Sequence, residues 1–114
     1  MSGPAFLTDA LLTDLYELTM AASYHAHEMN GRATFDLFVR DLPPTRNFLI
    51  AAGLEPALDF LEALSYPPYA IAYLRSLGMF SEPFLAHLAG LRFTGDVTFS
   101  AASLLPTRTR ASSC

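Results

Sequence analysis

Three side chains in the first forty residues have the chemistry to bind a small polar or aromatic ligand: Asp14, Tyr16 and Arg40. Asp14 and Glu17 have the spacing of a capping box, in which the first side chain accepts from free helix N–H groups and the second reaches back. Asp14 is therefore either a helix cap or a site residue. Tyr16 lies in the same first turn, off the apolar stripe, and is either a core or interface aromatic or a site residue. Arg40 could clamp a phosphate or carboxylate, or could be a surface charge.

The remaining polar residues do not form a complete catalytic site. His25 and His27 are two residues apart, which places them on different faces of a helix, whereas a metal pair requires a spacing of three or four. His87 has no acid or second histidine at ligand spacing. We interpret all three histidines as structural and expect no metal site. The glycines stand at predicted turn or helix boundaries, and none belongs to a phosphate-cradling run.

Composition narrows the function classes. The chain has 114 residues, 52% of them hydrophobic and 16% charged, with a net charge of −4. A chain of this size that is so rich in apolar residues is expected to leave apolar surface exposed for a partner. The chain has no basic cluster, so we do not expect it to bind nucleic acid. All seven basic residues are Arg, which excludes a Schiff-base lysine or a P-loop on this chain. With one cysteine, Cys114, and no apparent signal peptide or membrane span, we expect a cytoplasmic chain.

The elements that would position these residues are several short helices and a few strands. The first helix is predicted from about Asp14 to Glu28, ending at Asn30-Gly31, with a buried stripe at three- and four-residue steps. The stripe consists of Leu15, Leu18, Ala22, Ala26 and Met29. Alternation over residues 32–40 predicts a strand, ended by Pro43-Pro44, that places Arg40 at its end.

Further along, the pattern predicts three more helices and a second strand. One helix follows Gly53 with Pro56 in its first turn, and the next runs from about Tyr69 to Leu77 and is closed by Gly78. The last is capped by Ser81 and ended by Gly90. Residues 92–99 resemble a turn into a strand. We expect residues 100–114, which have neither helical nor strand periodicity, to be a disordered tail.

Five blocks of this sequence, in register, resemble nicotinate phosphoribosyltransferases. The first is Leu11-Leu12-Thr13-Asp14-Leu15-Tyr16-Glu17-Leu18-Thr19-Met20, and the second is Phe35-Asp36-Leu37-Phe38-Val39-Arg40-Asp41-Leu42-Pro43. The others are Ala52-Gly53-Leu54-Glu55 with Leu58, Phe60 and Leu61; Ile71-Ala72-Tyr73-Leu74-Arg75-Ser76-Leu77-Gly78-Met79-Phe80; and Phe93-Thr94-Gly95-Asp96-Val97. The resemblance covers roughly residues 8 to 99.

The resemblance implies a fold and an activity. The implied fold class is α/β, and it is α+β-like in this stretch, with several short helices around a few strands. Residues 1–99 would form an incomplete N-terminal domain of a type II phosphoribosyltransferase. Residues 100–114 lie outside the family pattern. The family joins nicotinate to the ribose of phosphoribosyl pyrophosphate, giving nicotinate mononucleotide and pyrophosphate in NAD biosynthesis. The full-length enzyme requires Mg²⁺ and ATP, and the ATP is hydrolysed through a phosphorylated histidine. We expect neither Mg²⁺ nor ATP to be bound by this segment alone. Members are cytosolic and mostly dimeric.

The resemblance also assigns roles to residues of this chain. The tyrosine matching Tyr16 stacks on the pyridine ring in the neighbouring subunit's site, with Asp14 beside it, and the arginine matching Arg40 approaches the phosphates. Glu17 departs from the glutamine common in the family, and Pro44 replaces a common aromatic. His25, His27 and His87 do not match the phosphorylated histidine.

The resemblance ends after Thr98 or Phe99. This favours the interpretation that the chain is a truncated enzyme that ends after a frameshift, and we expect it to be inactive by itself. The alternative is a non-enzymatic helical interaction module, or truncated subunit, that binds an intact enzyme subunit.

Overall fold

The computed structural model describes residues 9–100 and 108–112, which form four helices and two strands. The helices are α1 (Leu15–Ala26), α2 (Leu54–Ala63), α3 (Pro68–Ser76) and α4 (Glu82–Ala89), and the strands are β1 (Asp96–Ser100) and β2 (Arg108–Ser112). The order of helices agrees with the sequence prediction. The sheet does not, because the first predicted strand is absent from the described residues.

Helix α1 buries only part of its predicted stripe. Leu18 is buried and Ala22 packs against the core, as predicted, together with Ala21. Leu15 at the start of the stripe, and Ala26 and Met29 at its end, are exposed. The stripe prediction is therefore confirmed at the middle of the helix and wrong at both ends, where the described part of the chain provides no side chains to cover it.

Helix α1 also ends earlier than predicted, and it does so without a glycine. Glu28 has a positive φ of 54°, and the N–H groups of Glu28 and Met29 donate to the carbonyls of His25 (3.2 Å) and Tyr24 (2.9 Å). This pair of hydrogen bonds is the Schellman pattern, in which the residue after the cap adopts a left-handed conformation. A non-glycine residue there carries a conformational cost of about 1 kcal/mol.

The other helix boundaries follow the predicted local chemistry. Gly78, with φ 66°, follows the end of α3, and the Ser81 hydroxyl accepts from the Phe84 N–H (3.4 Å) at the start of α4. Proline stands in the first turn of α3 and of α4, where an amide hydrogen would have no partner within the helix. These caps end α3 and start α4 within a few residues, so the two helices form a hairpin.

The core lies between α1, α3 and α4, which we call the helical cluster. Its most buried large side chains are Phe84, Leu74 and Leu85, from α4 and α3. Leu18 joins them from α1, and Tyr66 from the turn before α3. Arg75 and Glu82 form an exposed ion pair across the α3–α4 turn (Nε to Oε1, 2.7 Å), and this hydrogen bond lowers the pKa of Glu82. Apolar burial at the helix contacts, rather than this screened pair, holds the cluster together.

Residues 29–53, which we call the exposed segment, form neither helix nor strand. Every residue in it is exposed; Phe35, for example, retains 89% of its accessible surface and Leu37 is fully exposed. The predicted strand over residues 32–40 is therefore wrong for this structure. A strand is stable only when another strand satisfies its backbone. Among the described residues, the one backbone–backbone hydrogen bond made by residues 31–52 is Arg46 N–H to Pro43 O (2.9 Å).

The two strands pair with each other in an antiparallel hairpin, with Asp96 opposite Ser112 and Ser100 opposite Arg108. The strand predicted within residues 92–99 is thus confirmed as β1. Ser100 and residues 108–112 belong to the predicted disordered tail and take part in this hairpin, because backbone pairing does not require an alternating side-chain pattern. Residues 101–107 and 113–114 of the predicted tail lie outside the described residues, and the predicted domain limit at residue 99 stays a prediction.

Candidate binding surface at the start of helix α1

The start of α1 differs from the predicted capping box. Asp14 occupies the N-cap position with extended backbone (φ −77°, ψ 142°), but its side chain accepts no capping hydrogen bond. Instead, the Thr13 hydroxyl donates to Oε2 of Glu17, while the Glu17 N–H donates to the Asp14 carbonyl (3.1 Å). Glu17 does reach back, as predicted, but to the hydroxyl one residue earlier. The Asp14 carboxylate is left exposed and without the role that a cap would give it.

An open depression of about 400 Å³ lies at this helix start, lined by Leu12, Thr13, Asp14 and Glu17. Its lining carries two carboxylates and one hydroxyl, and it is wide open to solvent. The Thr13 hydroxyl already donates to the Glu17 carboxylate, and the Asp14 carboxylate offers acceptor oxygens, so this arrangement is suited to binding a ligand through hydrogen bonds. An open, polar surface of this kind holds a ligand only when a second surface closes over it.

Tyr16 projects from the same turn and keeps 59% of its accessible surface. The residue two positions on, Leu18, is buried in the core, so Tyr16 lies on the opposite side of the helix from the packed face. The Thr19 hydroxyl donates to the Tyr16 carbonyl (2.9 Å), which adds a local bond to the first turns of α1. Tyr16 is therefore not a core aromatic. Its ring is free to stack on a flat ligand or a partner.

Arg40 lies in the exposed segment, and its side chain is exposed. Within residues 9–100 and 108–112, no hydrogen bond, ion pair or ring contact joins Arg40 to Asp14 or Tyr16. The structure thus places Asp14 and Tyr16 together at the start of α1 and leaves Arg40 separate from them. The predicted binding residues do not form one closed pocket on the part of the chain described here.

Two tyrosines near the start of α1 have no signal in the sequence. Tyr66 is buried, and both its burial and the negative charge of Glu17 raise the pKa of its phenol. Tyr69 donates from its hydroxyl to Oδ2 of Asp9 (3.3 Å), while Oδ1 of Asp9 accepts from the Leu11 N–H (2.9 Å). These contacts tie the chain on the N-terminal side of α1 to the start of α3. They depend on residues about sixty positions apart, which no local pattern connects.

The histidines occupy three different environments. His27 is exposed, and its Nδ1 lies 2.7 Å from the Ser23 carbonyl. His25 is half-buried, with its ring 5.7 Å from that of Phe84. Its ring is also 4.8 Å from that of His87, between centroids. Sequence spacing separated His25 from His27 correctly, but it could not show that α1 and α4 bring His25 and His87 together.

Two features are absent from the described part of the chain. None of its helices has the length and apolar character to cross a bilayer. Within the same ranges, 9–100 and 108–112, no group of three or more His, Cys, Asp or Glu side chains is placed to hold a metal ion.

Comparison with known proteins gives a consistent match. The model of the nicotinate phosphoribosyltransferase (NAPRTase) N-terminal domain family matches residues 11–105. The nicotinate phosphoribosyltransferase pncB2 of Mycobacterium tuberculosis is 54% identical over 88 residues, which are 77% of this chain and 19% of that protein.

Relatives of lower sequence identity are also nicotinate phosphoribosyltransferases. The nicotinate phosphoribosyltransferase of Bos taurus is 39% identical over 75% of this chain and 16% of its own length, and that of Bacillus subtilis is 36% identical over 67% and 16%. The chain therefore spans less than a fifth of the length of the curated relatives it matches. No solved structure matches the chain.

Proposed function

Because this chain belongs to the nicotinate phosphoribosyltransferase N-terminal domain family, we propose that it supplies the N-terminal part of a nicotinate phosphoribosyltransferase. That enzyme would join nicotinate to phosphoribosyl pyrophosphate, forming nicotinate mononucleotide and pyrophosphate. The observation that carries the proposal is the match over residues 11–105, which includes the helix start with its exposed Tyr16 and Asp14. The type II phosphoribosyltransferase fold of the whole enzyme is part of the proposal.

Tyr16 would stack on the pyridine ring of nicotinate. Its exposure, on the side of α1 away from the core, supports this role, because a ring used inside the domain would be buried. An aromatic side chain brings large contact area at a small conformational cost and prefers an offset stack on another flat ring. The ring would approach nicotinate from outside this chain's own core, in a site completed by another part of the enzyme or by a second subunit.

Asp14 and Arg40 would bind the polar parts of the ligands. Asp14 makes no capping hydrogen bond, so its carboxylate can accept from a hydroxyl or amide of a ligand or of the closing surface. Arg40 makes no ion pair within the described residues, so its guanidinium can pair with phosphate oxygens. Asp14 and Glu17, in the first turn of α1, are both acidic and would repel phosphate, which leaves Arg40 as the proposed phosphate partner.

In this proposal, Mg²⁺ and ATP, which the family implies for the whole enzyme, would be bound outside the residues described here. Mg²⁺ requires several oxygen ligands in octahedral geometry, and residues 9–100 and 108–112 offer no suitable group of three acidic side chains. We therefore assign no step involving either group to this chain. The rest of the enzyme would bind both.

The exposed segment would pack against that remaining part of the enzyme. Contiguous apolar surface on an otherwise folded chain marks a contact surface, and the apolar side chains of Phe35, Leu37 and Ile50 are all at least four-fifths exposed. The same surface suits a second candidate function, a non-enzymatic module that binds an intact enzyme subunit. In both cases the partner is a nicotinate phosphoribosyltransferase polypeptide, as a homodimer or a complex.

Reconstitution would separate the two candidates. The full chain would be mixed with the M. tuberculosis relative lacking its matching N-terminal segment, and nicotinate mononucleotide would be measured. We expect no product from either part alone and product from the mixture. The relative's own N-terminal segment, supplied separately, is the positive control for a competent remainder. Restoration by that control but not by this chain would overturn the enzymatic proposal, and binding to the intact relative without a change in its activity would favour the module.

A further inference from the structure

The feature that the proposed function does not use is the pair of imidazoles formed by His25 and His87. The two rings lie 4.8 Å apart between centroids, with their planes tilted by 41°. His25 comes from the last turn of α1 and His87 from the last turn of α4. His25 rests against the buried ring of Phe84 (5.7 Å), which limits how far its imidazole can move.

Both rings have free coordination capacity. Of the three histidine rings in the described residues, the one with a hydrogen bond is His27, through Nδ1 and the Ser23 carbonyl. His87 is exposed and His25 is half-buried, so solvent reaches the pair. Each ring also lies in the last turn of its helix, where the helix dipole favours a positive charge.

The separation of the rings fits a shared metal ion. With a metal–nitrogen distance of about 2.0–2.1 Å, the centroid of a bound imidazole lies about 3.2 Å from the ion. Two centroids 4.8 Å apart then subtend an angle of about 100° at the metal. This angle falls between the right angle of octahedral coordination and the tetrahedral angle.

We propose that His25 and His87 form a two-ligand site for a divalent transition-metal ion that prefers imidazole, such as Zn²⁺, with water in the other positions. The site differs in ligand chemistry from any Mg²⁺ site, because Mg²⁺ selects oxygen donors. No third His, Cys, Asp or Glu joins the pair in residues 9–100 and 108–112. A bound ion would link the last turns of α1 and α4 at the solvent-accessible edge of the helical cluster and would stabilise the folded state by mass action.

The test is a titration of the full chain with Zn²⁺ alone, in a Cys114→Ser background that removes the competing thiol. NMR of the imidazole resonances and the melting temperature would be followed together. We expect His25 and His87 resonances to shift and the melting temperature to rise with saturation at one ion per chain. His87→Gln should weaken binding at least about tenfold, since a lost ligand costs no less than a lost supporting contact. Lowering the pH from about 8 to about 5 should release the ion, because protons compete for imidazole nitrogen.

The matched control is His27→Gln, which removes an exposed histidine two residues from His25 that has a different partner. It should leave Zn²⁺ affinity unchanged. Equal binding by the parent and His87→Gln, or an equal loss in His27→Gln, would overturn the proposal. His87 is exposed, so the His87→Gln variant should fold. A His25→Gln variant with native helix content should also bind Zn²⁺ more weakly, and it tests the other ligand of the same site.

Discussion

The helical cluster and the exposed segment contain similar apolar side chains, which are buried in the cluster and exposed in the segment. In the cluster, Phe84 keeps 2% of its accessible surface, whereas in the exposed segment Phe35 keeps 89%. The difference arises because the helices α1, α3 and α4 satisfy their own backbone groups and need only side-chain contact to fold together. A strand-like segment needs a second strand as well. Apolar composition alone therefore does not decide where a core forms.

The largest expected effect comes from truncating the same residue type in the two regions. Phe84→Ala should destabilise the chain by about 3–5 kcal/mol, since it removes a buried ring and leaves a cavity. Phe35→Ala should change the free energy of unfolding by less than about 0.5 kcal/mol, as exposed substitutions do. Chemical denaturation of both variants checks this. A comparable loss in Phe35→Ala would mean that residue 35 is packed in the isolated chain and that the contrast between the regions is false.

Hydrogen exchange should show the second largest difference. Amides of residues 31–45 and 47–52 in the exposed segment should exchange at least about a hundredfold faster than those in the middle of α3 and α4, because they are exposed and donate no backbone hydrogen bond within the described residues. Adding the remainder of the M. tuberculosis relative should slow exchange in the exposed segment and leave the helices unchanged. Protection of residues 32–40 in the chain alone would show that the strand predicted from the alternating pattern does form without a partner.

The two helix starts provide a smaller, sharper comparison. Ser81 accepts a hydrogen bond from Phe84 N–H and Asp14 accepts none at its own cap. Ser81→Ala should therefore cost about 1 kcal/mol, whereas Asp14→Ala should cost about 0.5 kcal/mol or less through the helix dipole alone. Thermal unfolding of both variants measures the difference. A larger loss for Asp14→Ala would restore the capping role that the sequence predicted.

The smallest expected effect lies at the junction of the two regions. Glu28→Gly should stabilise the chain by about 0.5–1 kcal/mol, because glycine adopts the positive φ of this position without steric cost. Glu28→Ala is the control and should give no such gain. Destabilisation by the glycine substitution would mean that α1 continues beyond Ala26, as the sequence pattern had predicted.

Local chemistry in the sequence was enough to predict all four helices and most of their ends. Gly78 and Ser81, for example, act through their own backbone conformation or hydroxyl, so their positions reveal their roles. Tertiary contacts were not predictable in the same way. The approach of His25 to His87 and the missing partner for residues 32–40 both depend on how elements meet in space.

The candidate site shows the same division between local and tertiary information. Tyr16 could be separated from the core stripe by helix periodicity, and its exposure confirms that interpretation. The roles proposed for Tyr16, Asp14 and Arg40 depend on surfaces that the described residues do not include. They rest on the family relationship and stay proposals.

The most direct test of the proposed function compares two exposed tyrosines in the reconstituted enzyme. Tyr16 and Tyr73 keep 59% and 54% of their accessible surface, but only Tyr16 belongs to the proposed nicotinate surface. Tyr16→Ala should raise KM for nicotinate about 2- to 12-fold through loss of stacking worth about 0.5–1.5 kcal/mol, while Tyr73→Ala should leave KM unchanged. Equal KM values for the two variants and the parent chain would contradict the account.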